Sequence, residues 1–289
     1  MFLAEAAGGE ILNFDSVQVY RGFDIGSAKV PPSDRRGIPH HLIDLIGADE
    51  ELSAGSFARI ARQTIADVTS RGALPLLVGG TGFYLRAILE GLSPAPGRND
   101  SLRARLTRVG QRRPGVLHRF LRRRDLAAAQ RIHPNDAQKL IRAIELTVVT
   151  GRPATETQSL PRESLQGYTV LKLGLSPDRA ELYQRLDRRT AQMFNGGLLE
   201  EAQALLQSGA AETAKPLQSL GYKQALAALD GSLSLGGAIR ECQTKTRQYA
   251  KRQMTWFRRE HDVHWLNGFG GDEVIRQEAV RLLLQWRQS

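Results

Sequence analysis

The most informative segment of the chain is Ile11-Leu12-Asn13-Phe14-Asp15-Ser16-Val17-Gln18-Val19-Tyr20-Arg21-Gly22-Phe23-Asp24-Ile25-Gly26-Ser27-Ala28-Lys29. With Glu10, its first residues have strand composition, and Asp15-Ser16 breaks the run in favour of a turn. A strand ending this way delivers an aspartate, a serine and a glutamine together at its carboxyl end. In an open α/β sheet, ligands bind at that edge. A carboxylate placed there can accept a proton from a bound substrate. An isolated Asp-Ser pair can equally cap the turn that follows.

The residues on either side extend the pattern. Met1 to Ala7 reads as the end of a helix leading into the strand. His40-His41-Leu42-Ile43-Asp44 reads as a second short strand and turn. Ser53 to Ser70 is an amphipathic helix with Ser53 as its cap and Phe57, Ile60, Ala61, Ile65 and Val68 on the apolar face. Leu74 to Val78 is an apolar run of strand length, expected to be buried on both faces. It ends in Gly79-Gly80-Thr81-Gly82 and a helix through Leu89. The order strand, helix, strand, glycine turn, helix marks a parallel sheet of the α/β class.

Ser93-Pro94-Ala95-Pro96-Gly97 interrupts this order, and the composition turns to arginine-rich helix. A helical insertion domain is expected over residues 98–167, between an α/β core at 1–97 and the rest of the core with the carboxyl-terminal helices at 168–289. Inside the insertion, Ala137 to Thr150 is a helix with Leu140, Ile144 and Val148 on one face, and Gly151-Arg152-Pro153 terminates it. Tyr168 to Leu175 resumes strand character and re-enters the sheet. Long helices over Arg179 to Gln207 and Gly237 to Glu260, a last strand at His264-Trp265-Leu266 and a helix from Asp272 to Trp286 complete the chain.

Composition limits the classes of function. A chain of 289 residues with 41% hydrophobic content can bury one sizeable core and a smaller appended domain. No apolar run approaches the roughly 20 residues of a membrane span, and the first residues lack the basic start and apolar stretch of a secretory signal, so the cytoplasm is the default location. Cys242 is the only cysteine, which excludes an internal disulfide and a multi-cysteine zinc site. His40-His41 has no spaced carboxylate or third ligand nearby, so a loop or substrate-edge role is preferred and no metal ligand is assigned.

The formal charge is +10 and arginine supplies most of it. Arginine favours planar, bidentate contact with phosphate. Between Arg98 and Arg124 stand Arg103, Arg105, Arg108, Arg112, Arg113, Arg119, Arg122 and Arg123, with Asp100 the only acid before Asp125. A second cluster, Arg240, Lys245, Arg247, Lys251, Arg252, Arg258 and Arg259, is interleaved with Tyr249, Trp256 and Phe257. A solvated helix face mixes signs; these clusters point to a polyanionic partner.

Gly79-Gly80-Thr81-Gly82 lies between a strand and a helix, where its amides and the Thr81 hydroxyl can face an anion. Asp15 and Thr81, each after a parallel strand, can line the same crevice. That arrangement suits transfer from a diphosphate ester to a weak nucleophile: the carboxylate removes a proton while the hydroxyl and nearby arginines stabilise the departing phosphates.

Taken in order, several stretches resemble one family. They are Asp15-Ser16-Val17-Gln18-Val19-Tyr20-Arg21-Gly22, Ile25-Gly26-Ser27-Ala28-Lys29, His40-His41-Leu42-Ile43-Asp44, Leu77-Val78-Gly79-Gly80-Thr81-Gly82-Phe83-Tyr84, Ile132-His133-Pro134-Asn135-Asp136 with Arg142-Ala143-Ile144-Glu145, Leu220-Gly221-Tyr222-Lys223, and the run from Thr246 to Arg258. Over nearly its whole length the chain resembles the bacterial tRNA dimethylallyltransferases, also called tRNA isopentenyltransferases. The resemblance implies a P-loop NTPase-like parallel sheet with a helical insertion, and transfer of a dimethylallyl group from dimethylallyl diphosphate to the exocyclic amine of the adenosine 3′-adjacent to a tRNA anticodon. By the same resemblance Asp15 matches the general base, Thr81 a residue near the diphosphate and Arg189 an arginine that holds it. The stretches that touch the tRNA anticodon stem-loop in relatives fall on Asp15, Ser16, Val17, Gln18 and Thr81, on Arg103, on Gln138-Lys139-Leu140-Ile141-Arg142, on Gly221-Tyr222-Lys223, and on Lys251, Arg252, Trp256 and Arg258. Plain surface charge is the alternative for Arg103 and Arg142, and core packing for Trp256. Mg²⁺ is the implied cofactor, and a monomer is expected.

One departure from the family pattern stands out. Relatives begin with a buried strand and a glycine-rich phosphate loop ending in Lys-Ser or Lys-Thr, and this chain contains no such loop. The expectation is that the first, central strand of the sheet is missing with it, that the phosphate lysine and the magnesium-holding hydroxyl are absent, and that Met1 is an internal methionine of a longer protein. Two other readings stay open: a prenyltransferase acting on free adenine nucleotides, which needs no large basic surface, and a non-catalytic RNA-binding remnant.

Overall fold

Residues 1–288 are described by a computed structural model. The chain divides into two units, one formed by Met1–Ile88 with the chain from Gln166 onward, the other by Leu89–Leu165.

In the first unit, β1 (Gly9–Asn13) is the middle strand of a three-stranded parallel sheet, between β2 (His40–His41) and β3 (Leu74–Val78). Ile11, Leu12 and Phe14 are buried, as a strand paired on both edges and covered by helices requires. The short helix α1 (Phe2–Ala7) precedes β1. The helix α2 (Ala54–Ser70) begins at Ser53, whose side chain accepts the Ser56 amide, and buries Phe57, Ala61, Ile65 and Val68. Ile60 is exposed, because the buried stripe runs through 57, 61, 65 and 68 and leaves position 60 beside it.

Two expectations about the sheet are corrected. The strand β3 is not buried on both faces: its residues are half-buried and Val78 is 52% exposed. The cause is its place in the order β2-β1-β3, which makes it an edge strand. Nor does the chain re-enter this sheet after the insertion. Lys172–Leu175 forms β4, which pairs in parallel with β5 (Val263–Leu266) as a separate two-stranded sheet, and no ladder joins β3 to β4 among the described residues.

Helices account for the rest of this unit. The expected long helix after residue 178 is two, α9 (Arg179–Asn195) and α10 (Leu198–Gln207), broken at Gly196-Gly197. Gly197 has φ 104°, a left-handed conformation that ends one helix and re-aims the next. The helices α11 (Tyr222–Leu229), α12 (Leu235–Phe257) and α13 (Glu273–Gln288) follow, and α12 packs against α9 and α11.

The helix α3 (Gly82–Leu89) runs to the boundary of the first unit, and the second unit holds α4 (Asp100–Arg112), α5 (Val116–Arg124), α6 (Leu126–Arg131), α7 (Ala137–Thr150) and α8 (Ala154–Ser159). Its core is Leu117, Leu121, Ala128, Leu140, Ile141 and Ile144. Val148 is exposed although it follows Leu140 and Ile144 at helical spacing, because the buried part of α7 ends at Thr147. The unit begins before residue 98 because the Pro-rich linker packs within it: Leu165 N–H donates to Leu89 O at 3.0 Å and Ser93 Oγ to Gln158 O at 2.7 Å. No helix among the described residues is long and apolar enough to cross a membrane.

Candidate active site

The two strands end together. Asn13 is in register with Val78, and Phe14 N–H donates to Val78 O at 2.9 Å, so Asp15 and Gly79 leave the sheet at one edge. Thr81 Oγ1 then accepts the Ser16 N–H at 3.1 Å and lies 3.4 Å from Ser16 Oγ. The sequence places Asp15 and Thr81 in one crevice, and these contacts bring them there.

Asp15 serves the cap and leaves an oxygen over. Its Oδ1 accepts the amides of Val17 at 2.7 Å and Gln18 at 3.3 Å, while Oδ2 has no hydrogen-bond partner among the described residues. Buried Asn13 fixes the main chain behind it: Oδ1 accepts the Asp15 amide at 3.0 Å and Nδ2 donates to Leu42 O at 3.1 Å and Asp15 O at 3.3 Å. Sequence reasoning missed Asn13. The available signal was an amide inside an apolar strand, where a buried polar group requires partners.

Charge converges on the same carboxylate. Burial lowers the Arg189 guanidinium pKa and the Asp15 charge opposes that shift, so the α9 arginine, part of whose side chain is exposed, feels the charge of that carboxylate. Burial raises the phenol of Tyr84 to about 12, with Tyr20 and Asp15 adding to it. The Tyr249 phenol on α12 is raised by burial first and by Asp15 second. The Asp15 charge thus reaches two phenols and a guanidinium, all protonated at neutral pH.

The loop after β1 is held from inside. Gln18 Nε2 donates to Ser27 O at 3.1 Å. Lys29 Nζ, nearly buried, donates to Tyr20 O at 3.1 Å, Asp24 at 2.5 Å and Asp44 at 2.6 Å. Glu201 of α10 accepts the amides of Asp24, Ile25 and Gly26 at 3.1, 2.8 and 3.2 Å and the Tyr222 hydroxyl at 2.5 Å. A Cβ on Gly26 would stand 2.5 Å from the Tyr222 ring. Gly26→Ala is therefore expected to destabilise the protein by about 1–3 kcal/mol through overpacking. A chemical-denaturation midpoint equal to that of the unsubstituted protein would show that the loop yields.

The structure separates the residues expected to touch RNA. Lys251, Arg252 and Arg258 are exposed on or just after α12, and Lys223 is exposed on α11. Trp256 is half-buried and engaged in packing: it covers Gly82, meets Phe257 edge-on at 4.8 Å, and Arg86 sits 5.0 Å from its centroid. Gly221 and Tyr222 are buried, and the Tyr222 ring packs edge-on against Phe23 at 4.9 Å, so its side chain is a core element and not an RNA contact in this conformation.

Within the helical unit, Gln138 and Lys139 are exposed at the start of α7, whereas Leu140 and Ile141 point into the core and offer no side-chain surface. Arg103 and Arg142 are neither free surface charges nor a bare phosphate clamp. Both bind the fully buried Glu145: Arg103 Nε at 2.9 Å and Nη2 at 2.8 Å, Arg142 Nη1 at 2.6 Å, with the Asn99 amide adding a fourth donor at 2.7 Å. Arg142 Nη2 also donates to Pro96 O at 3.1 Å, which ties the linker to α7.

Comparison with known proteins identifies the family. The sequence profile described as IPP transferase matches residues 18–260. A tRNA dimethylallyltransferase of Solibacter usitatus is 55% identical over 280 residues, covering 97% of this chain and 91% of the relative. The crystal structure of a full-length tRNA isopentenylpyrophosphate transferase from Bacillus halodurans is similar with TM-score 0.70 at 35% identity, covering 98% of this chain and 89% of that one. A eukaryotic dimethylallyltransferase, caught in crystallographic snapshots acting on tRNA, is similar with TM-score 0.78 at 29% identity, covering 98% and 73%.

Proposed function

This chain belongs to the IPP transferase family, and we propose that it transfers a dimethylallyl group from dimethylallyl diphosphate to tRNA, at the N6 amine of the adenosine 3′-adjacent to the anticodon. One observation carries the mechanism: Asp15 and Thr81 leave neighbouring parallel strands at one edge, joined through Ser16, and the Asp15 charge reaches Arg189.

An adenine in an anticodon loop must be swung out to reach such a crevice. Asp15 Oδ2, the oxygen not used by the turn, then takes a proton from N6 as the N6–C1 bond forms. The C1–O bond breaks and its electron pair leaves with diphosphate. Arg189 meets that charge with planar donors, and Thr81 sets the edge of the phosphate side. Labelled dimethylallyl diphosphate incubated with the protein and tRNA tests this reading: label in the purine next to the anticodon is expected, and label in free adenine nucleotides alone would overturn it.

The resemblance also implies Mg²⁺, which is usually held by one or two carboxylates together with substrate phosphates. No group of three His, Cys, Asp or Glu side chains gathers among the described residues, and Asp15 already spends one oxygen on two amides. These residues build no magnesium cage of their own; an ion would come with the diphosphate. The protein acts as a monomer in the cytoplasm.

Exposed Lys251 and Arg252 grip the RNA backbone. Neutralising both, as Lys251→Gln with Arg252→Gln, is expected to weaken tRNA binding and to lower the slope of log affinity against log salt by about 0.7 per lost phosphate contact. Filter binding across a salt series reads it, and an unchanged slope would remove these residues from the interface.

A further inference from the structure

The turn that carries Thr81 is held by α12, the same helix that bears Lys251 and Arg252. Gln253 Nε2 donates to Gly80 O at 3.0 Å. A Cβ on Gly80 would stand 2.3 Å from that nitrogen, so the glycine is what lets the amide come this close. Three residues on, Trp256 covers Gly82, where a Cβ would lie 2.3 Å from the indole. Positions three apart share one helix face. The glycines on both sides of Thr81 are therefore each met by a side chain from one face of α12. Thr81 in turn accepts the Ser16 amide at 3.1 Å, next to Asp15.

We propose that Gln253 is a positioning residue for the transfer reaction: its amide anchors the Gly79-Gly80-Thr81-Gly82 turn, so that the RNA-gripping helix sets where Thr81 and Ser16 stand relative to Asp15. The proposal rests on the transfer reading given above. Glutamine suits the role because a carbonyl acceptor needs an N–H donor at the end of a side chain long enough to reach from the helix. Filling the space is not sufficient. A methionine at this position has similar length and volume but nothing to donate, so a pure packing role and a positioning role give different results.

The test is Gln253→Met, with Gln253→Ala as a second variant. In the free protein, hydrogen exchange at the Ser16 amide, read by NMR, is expected to quicken about tenfold in both, because the Thr81 acceptor loses its fixed place. In single-turnover assays at saturating tRNA and dimethylallyl diphosphate, the rate is expected to fall roughly 10–100-fold, since small misplacements at a reacting centre cost that much, while tRNA affinity stays within about twofold. Unchanged Ser16 exchange in Gln253→Met overturns the proposal whether or not the protein is active. A protein that transfers nothing even with Gln253 intact overturns the reaction assignment instead, and the exchange measurement still decides the role of Gln253.

Discussion

Asp15→Asn is expected to lower the rate of prenyl transfer by about 10²–10⁴-fold, the usual contribution of a positioned general base, with tRNA affinity unchanged within about twofold. The substitution removes basicity and little else. Asparagine keeps an Oδ1 that can accept the Val17 and Gln18 amides, now held at 2.7 and 3.3 Å, so the turn after β1 retains its cap. Asn13 continues to hold the main chain at residue 15 through the amide it accepts at 3.0 Å. The oxygen without a partner becomes an amide nitrogen, which donates and cannot take a proton from N6. Single-turnover transfer with a thermal melt as control separates chemistry from folding. Normal turnover in a folded Asp15→Asn protein would remove this residue from the reaction.

The second large effect concerns stability. Glu145 has 0% of its surface exposed and lies among four donors from Asn99, Arg103 and Arg142. Burial pushes its pKa up, but the hydrogen bonds from Arg103, Asn99 and Arg142 and the Arg103 charge overcome burial and hold it down at about 2, against 4.5 for a free glutamate. A carboxyl whose folded pKa is depressed contributes stability that is complete above its unfolded pKa and is lost as pH falls through the folded one. The contribution is on the order of 3 kcal/mol at neutral pH, and it should disappear between about pH 4.5 and pH 2.

Glu145→Gln is expected to cost a similar amount at neutral pH, because two partly buried arginines lose their counter-charge. The acid limb of the stability curve should flatten with it. Urea denaturation from pH 7 down to pH 2.5 measures both effects. If Glu145→Gln matched the original protein in midpoint and in pH dependence, the ion cluster would not be what holds the linker and α4 to α7. The same cluster explains why substitutions at Arg103 or Arg142 are expected to affect folding of the helical unit before they affect the salt dependence of RNA binding.

Much of the site was legible in the chain because its signals are local. An apolar run broken by Asp-Ser, and another broken by three glycines and a threonine, say that two strands end and that polar groups follow. Parallel pairing then requires both ends to lie at one edge, which is how Asp15 and Thr81 meet. Ser53 as a cap and the helix Ala137–Thr150 follow from the same short-range chemistry. The family could be read from ordered motifs spread over nearly the whole length.

Other features depend on partners far along the chain, and no local pattern encodes them. The strand β3 is half-exposed because it ends up at a sheet edge, although Leu74 to Val78 looks like a strand covered on both faces. Tyr222, Leu140 and Ile141 sit in motifs expected to touch RNA, yet their side chains are spent on the core. Arg103 and Arg142 read as surface charge until the fold brings Glu145 between them. Gln253 is one polar residue on a long basic helix until Gly80 arrives beneath it. Which groups are available follows from the chain alone, because strand ends, caps and charge runs are written within a few residues. Which groups remain free for substrate is settled by the fold, because satisfying a buried charge or carbonyl consumes side chains from distant segments, and sequence distance carries no record of that pairing.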